Sequence, residues 1–194
     1  MKTVDAMRVG PARKGTAERI EQAWWQARPA VRRATASAML TSVALAMLWS
    51  PDWWVRSTVA LTGTTLAVAA LVDLHEFRLP NRLMWIAAAA TFSAPALRLD
   101  VGMTSRTLAG GLVAAGLMLL VQVRRGVGMG DVKMSAVVGA SAGSMAILGA
   151  PIAIAIASLV AASCGLVSRQ RRMALGPALW LGWATALFVL SAGW

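Results

Sequence analysis

Charge is scarce in this chain of 194 residues, and negative charge is scarcest. Only 14% of positions are charged, with eight Asp and Glu against nineteen Lys and Arg. Soluble domains carry roughly 25%, so an ordinary soluble fold is excluded. Cysteine is nearly absent: Cys164 stands alone inside an apolar run. That excludes a disulfide framework within the chain and a CxxC zinc pair. With a single histidine beside it, the donor set for a structural zinc is missing too. A cleavable signal peptide is not expected. The basic stretch at the start is too long, and no small-residue cleavage site follows the first apolar run.

What remains is apolar. Hydrophobic residues make up 58% of the chain, residues 134–168 hold no charge in 35 positions, and residues 173–194 hold none in 22. About 20 helical residues cross the roughly 30 Å core of a bilayer. The first run fits two short spans and the second fits one. The fold class expected is all-α, a polytopic transmembrane helix bundle. Seven apolar segments are read, at 35–50, 56–72, 82–97, 105–123, 132–148, 150–168 and 176–193. Six spans plus one re-entrant segment is the alternative. Small residues are abundant, and they let transmembrane helices approach closely. GGLVAAG (110–116) is one such face. Pro95 is expected to mark a kink and Pro151 a turn.

Residues 1–33 form a basic tail. Within it, TAERIEQAWWQARPA (16–30) is compatible with a helix on the membrane surface, with Ile20, Trp24 and Trp25 dipping into the interface. A disordered tail with aromatic anchors is the other reading. The net charge of +11 does not point to nucleic acid, because of where it lies. Basic loops stay cytoplasmic. With the N-terminus inside and seven alternating spans, the inside holds 16 of the 19 Lys and Arg, leaving Arg56, Arg98 and Arg106 outside. The domain reading is therefore a tail (1–33), an N-terminal span (34–55) and a membrane domain (56–194). Most of the nine tryptophans fall near span ends, as an interfacial belt requires. The eleven methionines read as packing residues.

Asp5, Glu18 and Glu21 lie in the tail, and Asp52 and Asp100 in outer loops, where hydrated surface roles are expected. Asp73, Glu76 and Asp131 remain, all at the cytoplasmic ends of spans. Ionisable groups at membrane depth tend to mark functional sites. Asp131, alone, could serve as a helix N-cap. Two aspartates on one face, at the ends of different helices, argue for a site. Gly128 and Gly130 allow backbone to approach closely. Asp131 would sit at a helix N-terminus, which favours a carboxylate, and Asp73 at a C-terminus, which does not. Such a pair should share one proton and could activate a water for attack on a peptide carbonyl.

Three motifs resemble the prepilin peptidase family, the GxGD-type membrane aspartic proteases also called type IV leader peptidases. DLHEFRLPN (73–81) follows the D-x6-P-N pattern through Asp73, Pro80 and Asn81. GMGDVK (128–133) is a GxGD signature with a Val-Lys extension. ALGPALWLG (174–182) is similar to the glycine-proline segment that opens the family's last helix, through Gly176 and Pro177. The resemblance implies an endopeptidase of the bacterial cytoplasmic membrane, with Asp73 and Asp131 as the catalytic dyad and neither a cofactor nor a metal. It implies prepilins or pseudopilins as substrates, cleaved at the cytoplasmic face. Larger members carry paired CxxC motifs and also methylate the new N-terminus. Without those cysteines the chain is similar to the short, peptidase-only form associated with Flp-type pili. The tail and the extra N-terminal span depart from that form.

Lys133 has two readings. It depresses an aspartate pKa or holds substrate backbone, or it snorkels as an anchor. His75 and Glu76 read as a solvated loop. Pro80 and Asn81 should start a helix, and Gly176 and Pro177 should break the chain before the last span. Presenilin-type intramembrane proteases share GxGD but need a Tyr-Asp pair, and this chain has no tyrosine. A reading of another class is a transporter or pilus assembly factor whose aspartates bind a cation or proton.

Overall fold

The computed structural model describes residues 15–49, 52–123, 128–168 and 173–192. The tail before residue 15 and the basic clusters at 124–125 and 169–172 lie outside them. The described residues form eight helices and no strand: α1 (Thr16–Gln26), α2 (Pro29–Trp49), α3 (Trp53–Glu76), α4 (Asn81–Arg98), α5 (Val101–Val123), α6 (Met129–Met145), α7 (Gly149–Ser168) and α8 (Gly176–Ser191). Each of the seven apolar segments coincides with one of α2 to α8. By length and composition α3, α5 and α7 are apolar enough to cross a membrane, while α8 is apolar but shorter. The chain is an all-α helical membrane bundle.

The helix ends follow from local chemistry. Asp52 caps α3 by accepting from the Trp54 N–H at 2.8 Å, and it also pairs with Arg98. Asp100 caps α5 through the Met103 N–H at 2.8 Å. Both aspartates were expected as hydrated loop residues. Instead each satisfies a first-turn donor that the helix cannot. Pro95 lies within α4. Pro151 does not make a turn but sits in the first turn of α7, where its missing N–H costs nothing.

The core gathers where α3, α6 and α8 meet. Leu66, Val138, Leu179 and Trp183 are all essentially inaccessible there. The α5–α6 contact is a close backbone approach. A Cβ on Gly110 would collide with the Gly139 carbonyl oxygen and lie 2.9 Å from the Gly143 Cα. Large apolar side chains such as Leu112, Leu120 and Leu159 point outward, as in a bundle whose solvent is lipid.

Two of the nine tryptophans lie inside the bundle and not in an interfacial belt. Trp183 is fully buried, its Nε1–H donating to Ser141 Oγ at 3.0 Å. Trp180 is buried and donates to Ser42 Oγ at 3.3 Å. A buried indole needs a partner for its N–H, and a serine on a facing helix supplies it in each case. The amphipathic helix α1 is present, but Ile20 and Trp24 pack on a small cluster of Ala27, Leu71 and Val72. They cover the end of α3 instead of dipping into an interface. Trp25 is the exposed aromatic.

Candidate active site

Three segments far apart in sequence converge at one end of the bundle. Asp73 lies in the last turn of α3, Asp131 in the first turn of α6, and Gly176 opens α8. Asp73 is 5% exposed. Its Oδ2 accepts the Gly176 backbone N–H at 2.9 Å. That N–H belongs to the first turn of α8, one of the donors a helix leaves unsatisfied. The expected setting for Asp73 is thereby revised. Its own helix ends there, which disfavours a carboxylate, but a second helix aims its positive end at the side chain. The contact needs a glycine: a Cβ at position 176 would lie 3.0 Å from Asp73 Oδ2 and 3.1 Å from the Ala70 Cα.

Asp131 is not the N-cap of α6. The helix begins at Met129 with Gly128 as its cap, and Asp131 is the third helical residue. Its Oδ2 accepts the Gly128 N–H at 3.1 Å, the reciprocal half of a capping box. Asp131 precedes the apolar stretch 132–148, at its open end. Burial pushes its carboxyl up to about 6, the Gly128 N–H opposes that, and the negative charge of Asp73 adds a further upward push. The two carboxyl groups are therefore near enough to feel each other's charge. Asp131 sits at a helix N-terminus and Asp73 at a helix C-terminus, as expected, but the start of α8 facing Asp73 narrows the difference in their dipole settings. Burial also separates them, since Asp131 is the more open of the two.

The loop after Asp73 is held against α6 at two points. A Cβ on Gly130 would lie 3.2 Å from the Leu79 Cβ, so the glycine lets the loop approach. Lys133 Nζ donates to Asn81 Oδ1 at 2.9 Å. This is a third answer for Lys133, a tie between the two motifs. Pro80 occupies the cap position of α4 and Asn81 its first turn, as expected. Gly176 and Pro177 open α8, as the glycine-proline motif led one to expect. All nine residues singled out by motif lie at this end of the bundle.

Sequence reasoning missed Phe77, the C-cap of α3, whose φ of 50° is left-handed. A non-glycine residue there costs about 1–2 kcal/mol, and such strain clusters at functional sites. No Gly or Asn marked the position. Among the described residues no group of three or more His, Cys, Asp or Glu could hold a metal.

Comparison with known protein families matches residues 60–166 to the type IV leader peptidase family. The chain belongs to that family. The match takes in both aspartates, the Pro-Asn pair and the GxGD segment. It leaves out α1, α2 and α8, and with α8 the Gly176 donor to Asp73. No curated protein and no solved structure matches the chain.

Proposed function

We propose that this member of the type IV leader peptidase family is an aspartic endopeptidase that removes the leader of type IV or Flp-type prepilins or pseudopilins at the cytoplasmic face of the inner membrane. The observation that carries the reading is the pairing itself. Two carboxyl groups from distant motifs lie at one end of the bundle, each accepting a helix-terminal N–H, and they are coupled by charge.

Such a pair holds one proton and owns its pKa values jointly. The ionised carboxylate takes a proton from a bound water, whose oxygen attacks the scissile carbonyl carbon. The protonated carboxyl delivers its proton to the carbonyl oxygen. A tetrahedral diol forms. It collapses when the C–N bond breaks: the departing nitrogen takes the proton that the first carboxyl drew from water, and one diol hydroxyl gives its proton to the other carboxylate, leaving the product acid and a pair that again holds one proton. Lys133 and Leu79 tie the segment after Asp73 to the helix that carries Asp131, which supports the reading that the two carboxyls work together. In this reading residues 1–33 are a cytoplasmic tail, 34–55 an added span and 56–194 the peptidase domain, with seven spans and the N-terminus inside. The excess of Lys and Arg in the inner loops supports that orientation.

The test is co-expression with a Flp-type prepilin, following leader removal by gel shift and N-terminal mass spectrometry. Asp73→Asn and Asp131→Asn should insert normally and fail to cleave. Cleavage surviving in either variant would exclude the dyad. No cleavage by the parent across several prepilins, with pH-dependent ion flux instead, would favour a transporter.

A further inference from the structure

An open groove of about 660 Å³ runs between α2, α3 and α8. Ala67 and Ala70 of α3 form its floor, Ala38 and Thr41 of α2 line one wall, and Trp180 and Thr185 of α8 line the other. Among the described residues, no charged side chain lines it. One end reaches Leu74 and Pro177, the chain neighbours of the two residues joined in the Asp73–Gly176 hydrogen bond. The other end reaches Leu45 and Phe188. From Pro177 to Phe188 is three helical turns, about 16 Å at 1.5 Å per residue.

We infer that this groove seats an apolar helical segment of the substrate, adjoining the bond to be cut. The inference rests on the peptidase reading and adds to it where the substrate lies. A peptide bond reaching Asp73 must come along a surface that borders it, and the groove is an apolar surface that ends there. Alanines on its floor let a helix backbone approach closely, which is how helices associate where lipid removes the hydrophobic driving force. An uncharged lining fits a segment that stays in the bilayer. The occupant is thus a peptide with an apolar helix of at least three turns on one side of the scissile bond. Beyond Leu74 and Pro177 the chain must leave the helix to present an extended bond to the pair. One wall belongs to α2, which precedes the family match at residues 60–166. The added N-terminal span then contacts substrate as well as setting topology.

Crosslinking tests the assignment. In a Cys164→Ser background, Thr41→Cys and Thr185→Cys probe the groove, and Leu159→Cys probes an exposed face of α7 outside it. The partner is a prepilin with one cysteine placed two turns into its apolar segment, and Asp131→Asn keeps it uncut. The groove positions should crosslink to the prepilin at least ten-fold more than Leu159→Cys. Equal crosslinking at Leu159→Cys, adducts only between two copies of this chain, or capture only of a thiol-reactive lipid would each overturn the inference. A second measurement narrows the groove. Thr185→Trp should lower kcat/KM for the membrane-embedded prepilin at least ten-fold, with Leu159→Trp unchanged from the parent. A parent-like Thr185→Trp would sink it. Failure of the parent to cleave removes the peptidase reading itself, whereas cleavage without groove-specific crosslinks removes the groove alone.

Discussion

The backbone N–H of Gly176 donates to the carboxylate of Asp73 across 103 positions of sequence. The bond joins the start of α8 to the end of α3, and space for it exists only because residue 176 has no side chain. Gly176→Ala places a methyl 3.0 Å from Asp73 Oδ2 and 3.1 Å from Ala70. Overpacking of this kind costs typically 1–3 kcal/mol. If that cost falls on the active geometry, kcat/KM drops about 5- to 150-fold, since 1.36 kcal/mol is a factor of ten. Cleavage kinetics on purified, folded enzyme in detergent check this. A parent-like Gly176→Ala would mean that the α8 terminus does not set the site.

Lys133 and Asn81 form an exposed tie between the two motifs. Exposed charge-assisted contacts are modest, about 0.5–1.5 kcal/mol. Lys133→Met and Asn81→Ala should each lower kcat/KM by about three- to ten-fold. The double variant should be little worse than either single one, because both remove the same contact. Fully multiplicative losses would show that the residues act separately.

The Asp131 carboxyl is raised to about 6 from its ordinary value of 3.8, and the sign of its effect on stability follows. Below about 3.8 the group is protonated folded or unfolded, and contributes nothing. Between 3.8 and 6 the folded state binds more protons than the unfolded one, so stability falls as pH rises, and the full penalty holds above 6. Asp131→Asn keeps an oxygen for the Gly128 N–H and removes that penalty. Its melting temperature should exceed the parent's at pH 7 and equal it near pH 3.5, measured by thermal unfolding in detergent. In the parent, cleavage rate against pH should bend near 6. Equal melting temperatures at both pH values would contradict the buried, coupled setting.

Trp183 is the largest fully buried side chain, and its indole N–H is bound to Ser141. Trp183→Phe keeps most of the ring but leaves the Ser141 hydroxyl without that donor. A loss of about 1–3 kcal/mol of stability is expected. Ser141→Ala combined with it should recover part of that loss, since no buried hydroxyl is then stranded. No recovery would place the cost in ring volume.

The helix bundle was legible because uncharged runs and bilayer thickness set span lengths independently of tertiary detail. Asp73 and Asp131 stood out for the same reason: an acid beside a long apolar run is rare and easily found. What could not be read was which helix end would face which carboxylate. The dipole argument used only the helix that carries each aspartate, and α8 supplied the donor from 103 positions away. The buried positions of Trp180 and Trp183 were not legible either, because residue type says nothing of the facing Ser42 and Ser141. Phe77 carries no sequence mark of its left-handed backbone, which closes α3 as its C-cap, with the Phe77 N–H donating to the Asp73 carbonyl oxygen. Ile20 and Trp24 showed the period of an amphipathic helix, but periodicity does not say whether lipid or protein covers the apolar face.

Gly176, Trp180 and Trp183 stand at intervals of four and three, on one stripe of α8. At successive heights that stripe is fastened to α3 through Asp73, to α2 through Ser42 and to α6 through Ser141. The last helix is thus pinned like a spindle at three bearings, and its rotation about its own axis is fixed by side chains well away from the carboxylates. Turning it at Trp183, about 10 Å along the axis, would swing the Gly176 donor off Asp73. The aim of the site is set from the middle of the last helix.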